Sequence, residues 1–407
     1  MQLDRTLTAA SNNVRLPRTL VALFACACGL SVANVYYAQP LLDALAVDFA
    51  IGPGAAGAII TATQLGSALA LLLLVPLGDQ LNRRWLTLMQ TAALIASLLW
   101  VCLAQGTVTL LIGMLVVGLL GTAMTQGLIA YAATCASPEE RGQVVGTVQG
   151  GVFMGLLLAR MFAGFISDLA GWRGVYLTSA LMMAVLAVML WRVLPDQRPA
   201  ARPLPYPQLI LSMFSLLRKD GVLQVRGMLA LLMFAVFNIF WSALVFPLSA
   251  PLCELSHTAI GAFGLVGMVG ALAAARAGYW ADRGLGQWVT GVALLLLTLS
   301  WLPLWFTPSS IAWLVLGVIA LDLAGQAIHV TNQSMIFRAR PDAHSRVIGC
   351  YMLFYAVGSG LGAVASTATY AAFGWSGVCL LGMSVSLVAL LFWVATLRYQ
   401  THCNHLR

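Results

Sequence analysis

The chain has 407 residues, 61% of them hydrophobic and 8% charged, with 21 Lys+Arg against 13 Asp+Glu, a formal net charge of +8 and a mean hydropathy of +0.91. So few charges cannot coat so much apolar mass, which excludes a water-soluble globule and makes lipid the main solvent. The basic residues are spread through short segments between apolar runs, which excludes a nucleic-acid surface. The only lysine, Lys219, precedes Asp220, which excludes a phosphate-binding loop and nucleotide hydrolysis on this chain.

In chain order, residues 1–17 read as a short N-terminal segment. Twelve stretches then approach the ~20 apolar residues that a membrane helix needs: 18–39, 55–77, 85–104, 109–133, 143–166, 173–194, 224–249, 257–280, 288–306, 310–336, 345–371 and 375–397. The first flows into Tyr36-Tyr37 without a break and is predicted to be a helix rather than a cleaved leader. The connector 195–222, with prolines at 195, 199, 203, 205 and 207, separates a first bundle (18–194) from a second (223–397). Leu209, Ile210, Met213, Phe214 and Leu217, followed by Arg218 and Lys219, make this connector either a short helix on the membrane surface or an ordinary linker. The chain closes with a tail, 398–407.

An even number of spans puts both termini on one side. That side carries nearly all the arginines of the connectors, including Arg18, Arg83, Arg84, Arg141, Arg226, Arg283 and Arg398, against Arg173 alone on the other. Positive residues stay in the cytoplasm, so both termini are expected there. The cysteines fall mostly inside apolar runs and read as small hydrophobes. Neither a metal cluster nor a nucleophile-base-acid set is legible, so neither a cofactor nor an enzyme activity is expected.

Residues recur at an offset of 203, as Asp79 with Asp282, Trp85 with Trp288, Pro138 with Pro341, Gly146 with Gly349, and Gly171-Trp172-Arg173-Gly174 with Gly374-Trp375-Ser376-Gly377. Two six-helix repeats are the economical reading. Between spans 2 and 3 the chain reads Val75-x-x-x-Asp79-Gln80-x-Asn82-Arg83-Arg84, and at the matching place Gly278-x-x-x-Asp282-Arg283. Here the chain resembles the major facilitator superfamily over essentially its whole length, in particular its bacterial drug- or metabolite-proton antiporters. The resemblance implies an all-α fold of twelve membrane helices, a central cavity lined by spans 1, 4, 7 and 10, and a conformational latch at Asp79, Arg83, Arg84, Asp282 and Arg283. It also implies that the glycines of span 5 (Gly146, Gly150, Gly151, Gly155, Gly164) pack where the two halves meet. The antiporters' span-4 arginine is replaced by Met114, so proton coupling would rest on the second half.

Two charges fall well inside predicted spans, Arg160 and Asp322, and each is costly in lipid unless paired or hydrated. Asp322, Gln326, His329 and Gln333 follow at helical spacing and form one polar stripe, read as an ion-coupling and transport pathway. A desolvated Asp322 can carry a proton, whereas pairing with Arg160 keeps it ionised. His329 is expected to relay protons. Asn34, Tyr37, Thr122, Gln126, Asn238, Trp241 and Ser242 are the candidate cavity residues. The expected function is proton-coupled export of small organic compounds by a monomer embedded in the bilayer. Uptake by symport, facilitated diffusion and a non-transporting sensor are the alternatives.

Overall fold

A computed structural model describes residues 16–137, 140–196, 205–249, 255–267, 276–339 and 344–405, and among these every regular element is helical. In lipid an unpaired peptide group has no water to turn to, so an apolar chain closes its hydrogen bonds within each helix. The elements are α1 (Arg18–Tyr36), α2 (Leu42–Asp48), α3 (Gly57–Leu69), α4 (Arg83–Cys102), α5 (Thr107–Cys135), α6 (Arg141–Val193), α7 (Tyr206–Lys219), α8 (Gly221–Ala243), α9 (Val245–Ser249), α10 (His257–Val266), α11 (Gly286–Leu299), α12 (Trp301–Trp305), α13 (Ile311–Ala339) and α14 (His344–His405). Nine segments among the described residues are long and apolar enough to cross a membrane, and the chain is a multi-pass integral membrane protein. The face at which α1 starts is the terminal face, and the opposite one, at which α1 ends, is the distal face.

Helix starts follow local chemistry. Asn82 accepts from the backbone N–H of Arg84 at 3.0 Å, Asp220 from Leu223 at 3.0 Å and Ser256 from Ala259 at 3.2 Å, opening α4, α8 and α10. The second predicted span, 55–77, is not one regular helix. After Leu69 it widens into a π turn (Ala70–Leu74) and then tightens into a 3-10 turn (Val75–Asp79), where Pro76 has no N–H to donate. Of the predicted span 257–280, residues 268–275 lie outside the described residues, as do Pro138 and Pro341 of the repeat. The connector does form a helix, α7, which buries Leu209 and Met213 and exposes Leu211 and Phe214.

The runs α6 and α14, of 53 and 62 residues, each break at a glycine of positive φ: Gly171 at +70° and Gly374 at +63°. Only glycine adopts this backbone readily, so spans 5 and 6, and again 11 and 12, join without a loop. The two breaks are 203 positions apart, the offset of the sequence repeat. The contacts between halves obey the same offset. A Cβ on Gly164 of α6 would overlap the carbonyl oxygen of His257 in α10, and 203 residues from each, Thr367 of α14 donates to the Gly54 carbonyl at 3.2 Å. Gly261 of α10 lies against the Arg160 backbone, and Ala363, the 203-residue partner of Arg160, lies against Gly57 of α3, one position before the partner of Gly261. The repeat is therefore a pseudo-twofold arrangement in which α6 crosses α10 as α14 crosses α3.

The glycines of span 5 do not act together. Gly151 and Gly155 let α6 touch α1 within the first half, at Ala25 and Gly29, whereas Gly164 alone of the five meets the second half. Gly146 and Gly150 face open space, because a row of small residues along one helix does not fix which side each one presents to a neighbour. Gly155→Val should therefore cost about 1–3 kcal/mol by overpacking, seen as a lower Tm and a smaller monodisperse fraction in detergent. Gly150→Ala should leave both unchanged.

Candidate transport site

Arg160 stands eleven residues before the Gly171 break, and Asp322 eleven residues after α13 begins at Ile311. At 1.5 Å per residue both lie about 16 Å from the distal face. Both are nearly excluded from solvent, at 3% and 4% exposure. Arg160 Nε donates to Gln39 Oε1 at 2.9 Å, and Gln39 Nε2 donates to Asn238 Oδ1 at 3.1 Å, so a polar chain crosses from α6 to α8 through the connector after α1. The guanidinium carbon lies 4.1 Å from the Trp241 ring centroid and 5.5 Å from that of Tyr36. The hydroxyls of Tyr36 and Tyr355 are bonded to each other across the halves. Asp322 has a glycine, Gly267, beside its carboxylate, where a Cβ would collide with Oδ2. Arg160 and Asp322 do not close an ion pair. Nη2 of Arg160 and Oδ1 of Asp322 are both buried without a hydrogen-bond partner among the described residues.

The predicted stripe on α13 divides into parts. His329 Nδ1 meets the Tyr351 hydroxyl at 3.0 Å, and Gln333 Nε2 donates to His329 Nε2 at 3.2 Å, so both ring nitrogens are engaged away from Asp322. With Nε2 accepting, Nδ1 carries the proton and donates to Tyr351. Gln326 faces a cavity of about 30 Å³ shared with Tyr36, Phe237, Asn238, His329 and Tyr355, enough for about one or two waters. The other sequence candidates scatter. Asn34 is bonded to Ser179 at 2.7 Å, Thr122 to Ser67 at 2.8 Å, and Tyr37 packs on Phe162, all within the first half. Trp241, which stacks on Arg160, and Ser242 are both buried, each with a polar atom unpartnered among the described residues.

Gln126 lines a larger cavity of about 620 Å³ toward the terminal face, with Gln90, Arg83 and Arg141 from the first half, Met213 from the connector and Ile348 from the second half. Its size suits a small organic molecule. At the expected latch, Arg84 Nη2 donates to the Trp191 carbonyl at 2.7 Å, near the C-terminal end of α6, rather than to an acid. Arg283 lies 4.1 Å over the Tyr279 ring. The side chains of Asp79 and Asp282 lie outside the described residues. Arg226, counted above among the surface arginines, is instead 2% exposed and donates to Thr290 at 3.0 Å and Asn332 at 3.4 Å. Its place at the first turns of α8 hid this burial from a count of connector charges.

A second cluster, missed by sequence reasoning, joins the two halves near the distal face. His257 Nε2 meets Asp43 Oδ1 at 3.0 Å and its Nδ1 lies 3.3 Å from Asp168 Oδ1. Asp168 also accepts from the backbone N–H groups of His257 (3.1 Å) and Thr258 (2.8 Å) and from the Thr258 hydroxyl (2.6 Å), so a carboxylate of α6 caps α10. Each residue stands at a helix end in an unremarkable context, so only the fold brings them together. Nearby, Arg173 pairs with Asp48 at 2.6 Å.

The sequence profile of the Major Facilitator Superfamily matches residues 21–292 and 254–403. The uncharacterized transporter YgaY of Escherichia coli O157:H7 is 43% identical over 381 residues, covering 94% of this chain and 96% of its own. The purine ribonucleoside efflux pump NepI of Salmonella paratyphi B is 28% identical over 213 residues, 52% of this chain and 51% of its own. Among solved structures, a bacterial homologue of the human lysosomal transporter Spinster superposes with a TM-score of 0.77 at 14% identity, covering 94% of this chain and 97% of that one.

At the aqueous start of α10, the hydrogen bond to Asp43 holds the His257 imidazole protonated above its ordinary range, against an opposing cost of burial. A pairing of this sign is fully present below the ordinary histidine pKa and is lost as pH rises through the raised one. Spin labels at Val47→Cys and Phe306→Cys, in a background without reactive native thiols, should therefore report a wider distal face at alkaline pH. The ratio of wide to narrow populations should rise about two- to fivefold. In His257→Gln this pH dependence should vanish.

Proposed function

Because the chain belongs to the major facilitator superfamily, a family of transporters, we propose that it is a secondary transporter of twelve membrane helices, both termini cytoplasmic, that exports small organic compounds in exchange for protons. The observation that carries this reading is the buried, unpaired couple of Arg160 and Asp322, set at equal depth on helices of different halves. A scaffold has no use for two such charges, whose burial is costly. A transporter does, since each can change partners as the halves rock about the site.

In the arrangement described, the distal face is held by the His257 cluster and the 620 Å³ cavity lies toward the terminal face. A substrate entering from that cavity displaces the Asp322 proton. Release of the distal clasp then exposes the site to the other side, where substrate leaves and a proton returns. One charge moving down 100 mV supplies about 2.3 kcal/mol, enough for a useful gradient. The name of the relative NepI, an efflux pump, supports outward transport. Twelve spans follow if α6 and α14 each count as two crossings and the segment around α10 as one.

Addition of a compound panel to purified protein in weak buffer tests the coupling. Wild type should release about one proton per site on binding, and Asp322→Asn none, with an unchanged Tm showing that the variant is folded. Release of equal size from Asp322→Asn defeats the proposal, and binding without release in wild type makes the protein a facilitator. In everted vesicles with an acidic lumen, an exporter accumulates substrate and a symporting importer does not.

A further inference from the structure

A buried ion costs least when an opposite charge arrives with hydrogen bonds to satisfy it. Arg160 has spent its face on Trp241 and its Nε on Gln39, which leaves the outer edge of the guanidinium, with Nη2, unclaimed among the described residues. Asp322 offers Oδ1 in the same condition. The two residues lie close to the same glycine-lined stretch of α10, Arg160 against Gly261 and Gly264 and Asp322 against Gly267, where the missing side chains leave room for both. They feel each other electrostatically, yet no ion pair joins them. Arg160 therefore presents free donors and Asp322 a free carboxylate oxygen, with the rings of Tyr36 and Trp241 over the guanidinium and that of Phe237 against Trp241.

The balance of charge selects among ligands. A simple cation satisfies Asp322 but puts a like charge near Arg160 in a medium of low dielectric. A simple anion does the reverse. A neutral compound leaves both ions without an opposite charge. We propose that the transported compound is a small zwitterion, its carboxylate on the Arg160 edge and its ammonium on Asp322, with an apolar body against the aromatic rings. Arg160 suits this part because a planar guanidinium edge matches a carboxylate in a bidentate fork. The inference rests on the reading of this site as the transport route.

The charge balance of the cycle follows. The ammonium takes the place of one proton on Asp322, and that proton leaves to the solvent with no covalent bond formed in the substrate. A zwitterion carries no net charge outward, so exchange for one proton moves one positive charge inward per turnover and the cycle is electrogenic. A monovalent cation exchanged for one proton would move none.

The test uses the full-length protein and a panel of free α-amino acids, each beside its methyl ester (cation), its N-acetyl form (anion) and its N-acetyl methyl ester (neutral). Binding is read by thermal shift and proton release, and transport by membrane current in proteoliposomes. At least one free amino acid should bind at least tenfold more tightly than its three derivatives, release a proton and drive an inward positive current. Arg160→Gln should erase the preference for the free acid over the ester, and Asp322→Asn the preference for the free acid over the N-acetyl form. Arg160→Lys and Asp322→Glu should restore part of each, which separates recognition from misfolding. If the esters bind and release protons as well as the free acids, the zwitterion assignment falls while the role of Asp322 in transport stands. If no free amino acid binds below 10 mM, the assignment also falls. If compounds bind with no response to any substitution at Arg160 or Asp322, the transport-route reading falls with it.

Discussion

Between the two halves, helix backbones of the described residues come into direct contact at two related places, α6 against α10 and α14 against α3, because glycine occupies the crossing points. Lipid supplies no hydrophobic drive between helices, so such contacts owe their stability to dispersion and hydrogen bonds, which a single added methyl group disrupts. Everything else in the arrangement hangs on these crossings. They put His257 beside Asp43 and Asp168, join the halves near the distal face and bring the Arg160 side chain against Gly264, one turn from the Gly267 that lies beside Asp322.

The chemistry appears where the repeat fails. The 203-residue partner of Arg160 is Ala363, that of Asp322 is Leu119 and that of His257 is Gly54. Backbone contacts survive the duplication, and charges do not. Two identical charged copies would place like charges near one another across the pseudo-twofold axis, an arrangement of high cost in low dielectric. Holding the cation on one half and the acid on the other makes them complementary instead, and makes their separation responsive to any movement between the halves.

The distal cluster and the buried couple differ in kind. His257 and its two carboxylates are partly solvated and fully partnered, so they close the face at modest cost and can let go. Arg160 and Asp322 are buried and incompletely partnered, so they hold a demand that an arriving ligand or proton relieves. A clasp that opens readily and a core that is satisfied only on loading are the two parts that coupled movement requires.

The membrane fold, the approximate spans, the twofold repeat and the two buried charges were legible in the sequence. Each rests on local composition or spacing: apolar length, an offset of 203, an ion inside an apolar run. The stripe on α13 was legible as a row of residues but not as a function. Helical periodicity says which residues share a face and nothing about what faces them, and Tyr351 claims His329 before Asp322 can. Gln39, Asp43, Asp168 and His257 lie at helix ends, where a polar residue is ordinary, so no local signal marks them. Arg226 looked like a topology marker because its burial depends on Thr290 and Asn332, more than sixty residues away in the chain. Sequence determined which residues lipid would tolerate, since solvation is a property of each segment by itself. Which polar atoms meet, and which are left waiting for a partner, was decided only when helices distant in the chain crossed.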